Sequence, residues 1–133
     1  MLQHLFSIRI YYEDTDLSGV VYHSNYLKFF ERARTEMLRE RGYELSDLFL
    51  KHNMQFVVYS AELEYLRPAR LDQLLCIVTK VTEVRSASIR YNQSAYLGLE
   101  NGILSCRANI RLACLDRDQH PRKLPNILSM EKK

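Results

Sequence analysis

Residues 11–27 read YYEDTDLSGVVYHSNYL, and the fold is decided there. Ahead of this stretch Phe6, Ile8, Ile10 and Tyr12 recur at every second position, with Ser7 and Arg9 between them, the pattern of a half-buried strand. Residues 13–19 break the alternation with an acidic turn loosened by Ser18 and Gly19. From about residue 23 to 41 the period becomes helical. Tyr26, Leu27, Phe30, Ala33, Met37 and Leu38 form one apolar stripe, and Lys28, Glu31, Arg32, Glu36 and Arg39 form the opposite face, with Arg32 and Glu36 spaced as an i,i+4 pair. Gly42 is placed to cap the helix. Strand, polar turn and long helix thus meet in one short segment, and no other segment gathers so many groups capable of chemistry.

The remaining chain reads mainly as strands. Residues 45–51 suit a short second helix with Ser46 at its cap. Residues 55–66 alternate, with Val57, Tyr59, Ala61, Leu63 and Tyr65 on one face, and a turn runs from Arg67, Pro68 and Ala69 to Asp72. Two further runs, 74–84 and 87–97, are rich in β-branched and aromatic residues and are parted by Arg85 and Ser86. Asn101 and Gly102, a strong hairpin dipeptide, lead into 103–115, where Leu104, Cys106, Ala108, Ile110, Leu112 and Cys114 share one face and Ser105, Arg107, Asn109 and Arg111 the other. The tail, with Pro121, Pro125, Lys132 and Lys133, reads as irregular and exposed. The order predicts an α+β fold over residues 1–133, one domain with an antiparallel sheet of about five strands wrapped around one long central helix. One helix covers one face of such a sheet, so self-association is expected to cover the rest.

A chain of 133 residues buries roughly two-thirds of the surface its unfolded form exposes, enough for one domain. The net charge of +3, from 19 basic and 16 acidic residues, is too mild to demand nucleic acid and suits an anionic small molecule. The three cysteines show no CxxC spacing, and Cys106 and Cys114 fall on one predicted strand, too far apart to bridge. Free thiols in a reducing cytosol follow. MLQHLFSIRI lacks the pattern of a secretory signal, and no run of about 18 apolar residues predicts a membrane-spanning helix. A cytoplasmic protein is expected.

A carboxylate near a helix start has two useful neighbours, the unpaired backbone N–H groups and the positive end of the helix dipole. A substrate carbonyl accepting from an N–H near Tyr22 or His23 would have its developing charge stabilised there, an effect worth about 3 kcal/mol per donor in known cases. An aspartate carboxyl, with a reference pKa near 3.9, is ionised at neutral pH, so Asp16 could attack that carbonyl or activate a water. A thiolate leaves without a strong general acid, whereas an alkoxide or amide nitrogen needs protonation. The stretch offers no acid beyond His23 and Tyr12, and thioester hydrolysis suits it best.

The runs YYEDTD, GVVYHSNYLKFFERARTEML and LRPARLD (residues 66–72) closely resemble the hot-dog-fold acyl-CoA thioesterases, in particular the YbgC-type branch associated with the Tol-Pal system and related to 4-hydroxybenzoyl-CoA thioesterase. The resemblance implies a hot-dog fold and acyl-CoA hydrolysis, with acyl carrier protein as an alternative thiol carrier and no metal or other cofactor. It implies Asp16 as the catalytic carboxylate and His23 as the helix-start residue offering its N–H, with its side chain also engaged. It places Tyr12 along the site and Gly19, Val20, Val21 and Tyr22 on the substrate's approach. It further implies a homodimer or homotetramer with sites at subunit boundaries. Gln73 departs from the acid expected after Asp72 and touches none of these roles.

Plainer readings compete. Glu13, Asp14 and Asp16 could form a solvated turn, or Asp14, Asp16 and His23 a metal site lacking a fourth ligand. DTDLSG is also similar to an aspartyl-phosphate loop, but that chemistry needs a larger parallel sheet. A non-hydrolytic acyl-binding or scaffold protein of an envelope complex would keep the fold without the reaction, and a hot-dog dehydratase would use a different acid and histidine pair. His4, His52 and His120 read as surface or loop residues, and the cysteines as small buried hydrophobes. Arg90, Arg107 and Arg111, with Arg85 in the turn, form a basic face that suits either CoA phosphates or plain solubility.

Overall fold

A computed structural model describes residues 3–125. Its elements are β1 (Gln3–Arg9), a single 3₁₀ turn (Tyr12–Asp14), α1 (Asn25–Glu40), α2 (Leu45–His52), β2 (Gln55–Tyr65), β3 (Leu74–Val84), β4 (Ser88–Leu97) and β5 (Ile103–Leu115). The strands form one five-stranded sheet in the order β1-β3-β4-β5-β2, every neighbouring pair antiparallel. Together with α1 lying across it, this is the hot-dog arrangement expected from the sequence.

The helix lies on the sheet through Tyr26, Phe29, Phe30, Ala33 and Met37, all buried, against Ile10, Leu75, Ile77, Val81, Ile89 and Ile110. Phe29 belongs to the stripe, while Leu27, assigned to it from the sequence, sits on its edge and is 44% exposed. Positions 26, 29, 30, 33 and 37 cluster on one side of the helix, and residue 27, although three before Phe30, lies about 100° round from position 26, away from positions 29 and 33. Glu36 pairs with Arg39 at 2.6 Å rather than with Arg32. Gly42 caps the helix at φ +94°: its N–H donates to the Arg39 carbonyl and that of Tyr43 to Leu38, closing the last turn. In α2 the N-cap is Glu44, and Ser46 lies inside the helix.

β1 ends at Arg9, and Tyr12, expected on its buried face, is 83% exposed in the 3₁₀ turn. The cause is local, because the Asp14 carboxylate accepts the Tyr11 N–H at 2.8 Å and folds the backbone out of the strand. β2 is an edge strand, and its predicted apolar face is largely uncovered, with Val57, Tyr59 and Tyr65 exposed and Leu63 half-buried. The chain joins β4 to β5 by a longer turn than the Asn101–Gly102 dipeptide predicts. Gly98 takes φ +84°, the Gly102 N–H donates to Leu99, and a Cβ on Gly102 would fall 2.0 Å from the Leu97 carbonyl oxygen.

β5 follows the predicted two faces except at Ser105. That residue bulges between partners of Ala95 and Tyr96 and is buried. The tail is better anchored than expected up to residue 125: Leu115 bridges Pro121, and buried Leu124 donates its N–H to Ser86. Lys132 and Lys133 lie outside the described residues. His4 is a strand residue facing Glu40 at 3.1 Å, not a loop residue. Cys76, Cys106 and Cys114 are free and buried, and burial pushes the Cys106 thiol up to about 12. Among the described residues no helix is long and apolar enough to cross a membrane.

Candidate active site

The turn after β1 is held by its own side chains. Asp14 is buried; one carboxylate oxygen accepts from Tyr11 N–H and the other from the Asn25 side-chain amide at 3.2 Å, while Tyr22 N–H donates to its carbonyl at 2.9 Å. Asp14 therefore latches the turn to the first residue of α1. It is not free to join Asp16 and His23 around a metal, and no group of three potential metal ligands forms among the described residues.

Asp16 points elsewhere. Its backbone N–H donates to Val20, its carbonyl accepts from Gly19, and Oδ1 accepts from Ser18 N–H at 2.9 Å, an Asx turn closed by Gly19 at φ +80°. Oδ2 has no protein partner among the described residues. The side chain is exposed on the rim of an open cleft of about 340 Å³, lined also by Val20, Val21, His23, Tyr26, Tyr65, Leu66, Arg67 and Pro68.

His23 enters this cleft from just before α1. Tyr22 N–H is spent on Asp14, but His23 N–H has no acceptor among the described residues. An unpaired N–H at a helix start is the donor an incoming oxyanion needs. The imidazole packs on Tyr22 at 4.6 Å between ring centres and meets the edge of Tyr65 at 6.1 Å, and the Tyr65 hydroxyl donates to the His23 carbonyl at 3.2 Å. Tyr65 thereby fixes the peptide that precedes the helix.

The opposite wall hangs on the β5 bulge. The Ser105 carbonyl accepts from Leu66 and Arg67 N–H, its hydroxyl donates to the Arg67 carbonyl at 2.7 Å, and the Tyr26 hydroxyl donates to the Ser105 hydroxyl oxygen at 2.8 Å. Burial raises the Tyr26 pKa, keeping that phenol protonated. Val21 N–H then ties the two walls together through the Ala69 carbonyl. Tyr65, Arg67 and Ser105 shape the cleft although the sequence alone does not mark them as site residues. The RPAR run held the only signal, since a proline among arginines marks an irregular, exposed turn.

The cleft gathers Asp16, Val20, Val21 and His23. Tyr12, Gly19 and Tyr22 lie outside its lining: Tyr12 is turned away by the 3₁₀ turn, Gly19 closes the Asx turn, and the Tyr22 ring backs His23. The arginines of the basic face divide. Arg85, Arg90 and Arg111 surround a concavity of about 120 Å³, the first two paired with Glu83 and Arg111 over the Tyr59 ring at 5.1 Å. Arg107 is paired with Glu64 instead.

Known proteins resemble this chain in sequence and in fold. The family model of the Thioesterase superfamily matches residues 18–98, a span that begins just past Asp16. The Acyl-CoA thioester hydrolase YbgC of Escherichia coli is 42% identical over 93% of this chain and 91% of its own length. The Acyl-CoA thioesterase YbgC of Haemophilus influenzae is 42% identical over 84% and 79%. A solved structure described as a "probable thioesterase" of Bartonella henselae superposes with a TM-score of 0.84 at 35% identity, covering 93% of this chain and 100% of that one. A shared fold and sequence identity at this level, over nearly the whole length, place the chain in one family: it belongs to the thioesterase superfamily.

Proposed function

We propose that the protein is one thioesterase domain that hydrolyses acyl-CoA thioesters, with Asp16 as nucleophile or general base and His23 N–H as the donor to the carbonyl oxygen. The observation that carries this reading is that one cleft holds a carboxylate oxygen without a protein partner and a helix-start N–H without an acceptor, both among the described residues. In the first step either Asp16 Oδ2 or a water deprotonated by it adds to the carbonyl carbon. The negative charge that collects on the carbonyl oxygen falls against His23 N–H. Collapse of that oxyanion breaks the C–S bond and expels a thiolate, which needs no proton from the protein. In the nucleophilic case water then cleaves the mixed anhydride and restores the carboxylate.

The two similar YbgC proteins are named for acyl-CoA substrates, which favours CoA over acyl carrier protein as the thiol carrier here. CoA phosphates would find the arginine concavity, where Arg111 has no carboxylate partner among the described residues. The exposed apolar edge of β2 supports a homodimer or larger assembly, and three free, buried cysteines accord with the cytoplasm. The test is free-thiol release from a panel of acyl-CoA esters, alongside acyl carrier protein esters. Release from one acyl-CoA class supports the reading. Saturable binding of the esters without thiol release would identify a scaffold instead.

A further inference from the structure

A second cavity, of about 290 Å³, opens between α1, α2 and β2, and its walls include Leu38, Leu45, Phe49, Phe56 and Leu112. Arg34 enters it from α1, roughly 16 Å along the helix from His23 at the usual rise per residue. Arg34 as a whole is 8% exposed, yet it forms no ion pair among the described residues. Its one side-chain hydrogen bond among the described residues runs from Nη1 to Gln93 Oε1 at 3.0 Å, and the Tyr91 ring lies 5.8 Å away. Gln93 is pinned in turn to the Phe30 carbonyl and the Thr79 hydroxyl, both at 2.9 Å, so the arginine is held in place.

A buried charge is ordinarily paired, because desolvation without a partner is costly. Here burial lowers the Arg34 pKa, and the only acid in the cavity lining is Glu31, exposed at the rim. The remaining N–H groups of the fork have no protein acceptor among the described residues. A planar fork with spare donors, set in a cavity that also carries apolar walls, is a receptor for a carboxylate with an alkyl tail. We propose that this cavity binds a short-chain carboxylic acid, its carboxylate on Arg34 and its alkyl tail against Leu38, Leu45, Phe49 and Phe56. One arginine beside an acidic rim does not supply the charge a dianionic phosphate needs. The volume, at the lower end for ligand pockets, selects a short chain. The site is distinct from the Asp16 cleft and does not rest on the thioesterase reading.

Calorimetric titration of the full chain with hexanoate tests the site without requiring turnover. Hexanoate should bind at one saturable site, and 1-hexanol, which keeps the tail but not the charge, at least tenfold more weakly. Glu31→Gln, which removes a competing exposed carboxylate, should tighten hexanoate severalfold. Leu45→Trp, which fills the mouth from a position 38% exposed, should abolish binding. Equal affinity for acid and alcohol, no tightening in Glu31→Gln, or unchanged binding in Leu45→Trp would each overturn the proposal. Because none of these readouts depends on hydrolysis, an inactive protein that binds hexanoate refutes the catalytic reading alone.

Discussion

The Asp14 carboxylate and the Asn25 side-chain amide meet at 3.2 Å in a buried contact that fastens the turn after β1 to the first residue of α1. Two residues on, Asp16 has the opposite character: exposed, with one oxygen free of protein partners. Asp14→Ala strips acceptors from Tyr11 N–H and Asn25, and should cost about 2 kcal/mol of stability. Asp16→Asn keeps the Oδ1 acceptor for Ser18 and should change stability by less than about 0.5 kcal/mol. Urea unfolding midpoints of the two variants check the contrast.

Ser105→Ala removes the hydroxyl that receives Tyr26 and donates to Arg67. Stability should fall by about 1 kcal/mol. The wall carrying Leu66 to Pro68 then loosens, so KM for acyl-CoA should rise severalfold. Unaltered KM together with unaltered stability would show that the bulge does not shape the cleft.

The three thiols should resist modification in the native state. With the Cys106 pKa pushed up to about 12 and those of Cys76 and Cys114 also raised by burial, almost no thiolate exists at mildly alkaline pH. A disulfide reagent should report all three only after denaturant is added. Rapid labelling of the folded protein would contradict the burial described.

The exposed edge of β2 should be covered by a second copy. Sedimentation at micromolar concentration should give a dimer or larger species, and Val58→Lys, at a position 47% exposed, should shift it toward monomer. A wild-type monomer would contradict the expectation.

Much of this architecture could be read from pattern alone. β5 falls where alternation puts it, because a strand with one buried face carries a period of two, and β3 falls where its β-branched run puts it, with residues 75–79 buried in succession. The sequence stripe takes in Leu27 and leaves out Phe29 because both are apolar and only the sheet beneath the helix decides between them. Alternation extends the strand to Tyr12 because it does not register the Asp14 side chain that caps the Tyr11 N–H. Asp14 and Asp16 look equivalent in sequence, and only the packing of Asn25 separates the latch from the free carboxylate. The cleft's second wall was hidden because a bulge at Ser105, far along the chain, sets the path of Leu66 to Pro68.

The central claim is that the charge of Asp16 drives thioester cleavage, and the decisive measurement is kcat/KM for acyl-CoA hydrolysis by Asp16→Asn. The account predicts a fall of about 10²- to 10⁴-fold with the unfolding midpoint unchanged. Turnover within a few-fold of the unsubstituted protein would contradict it.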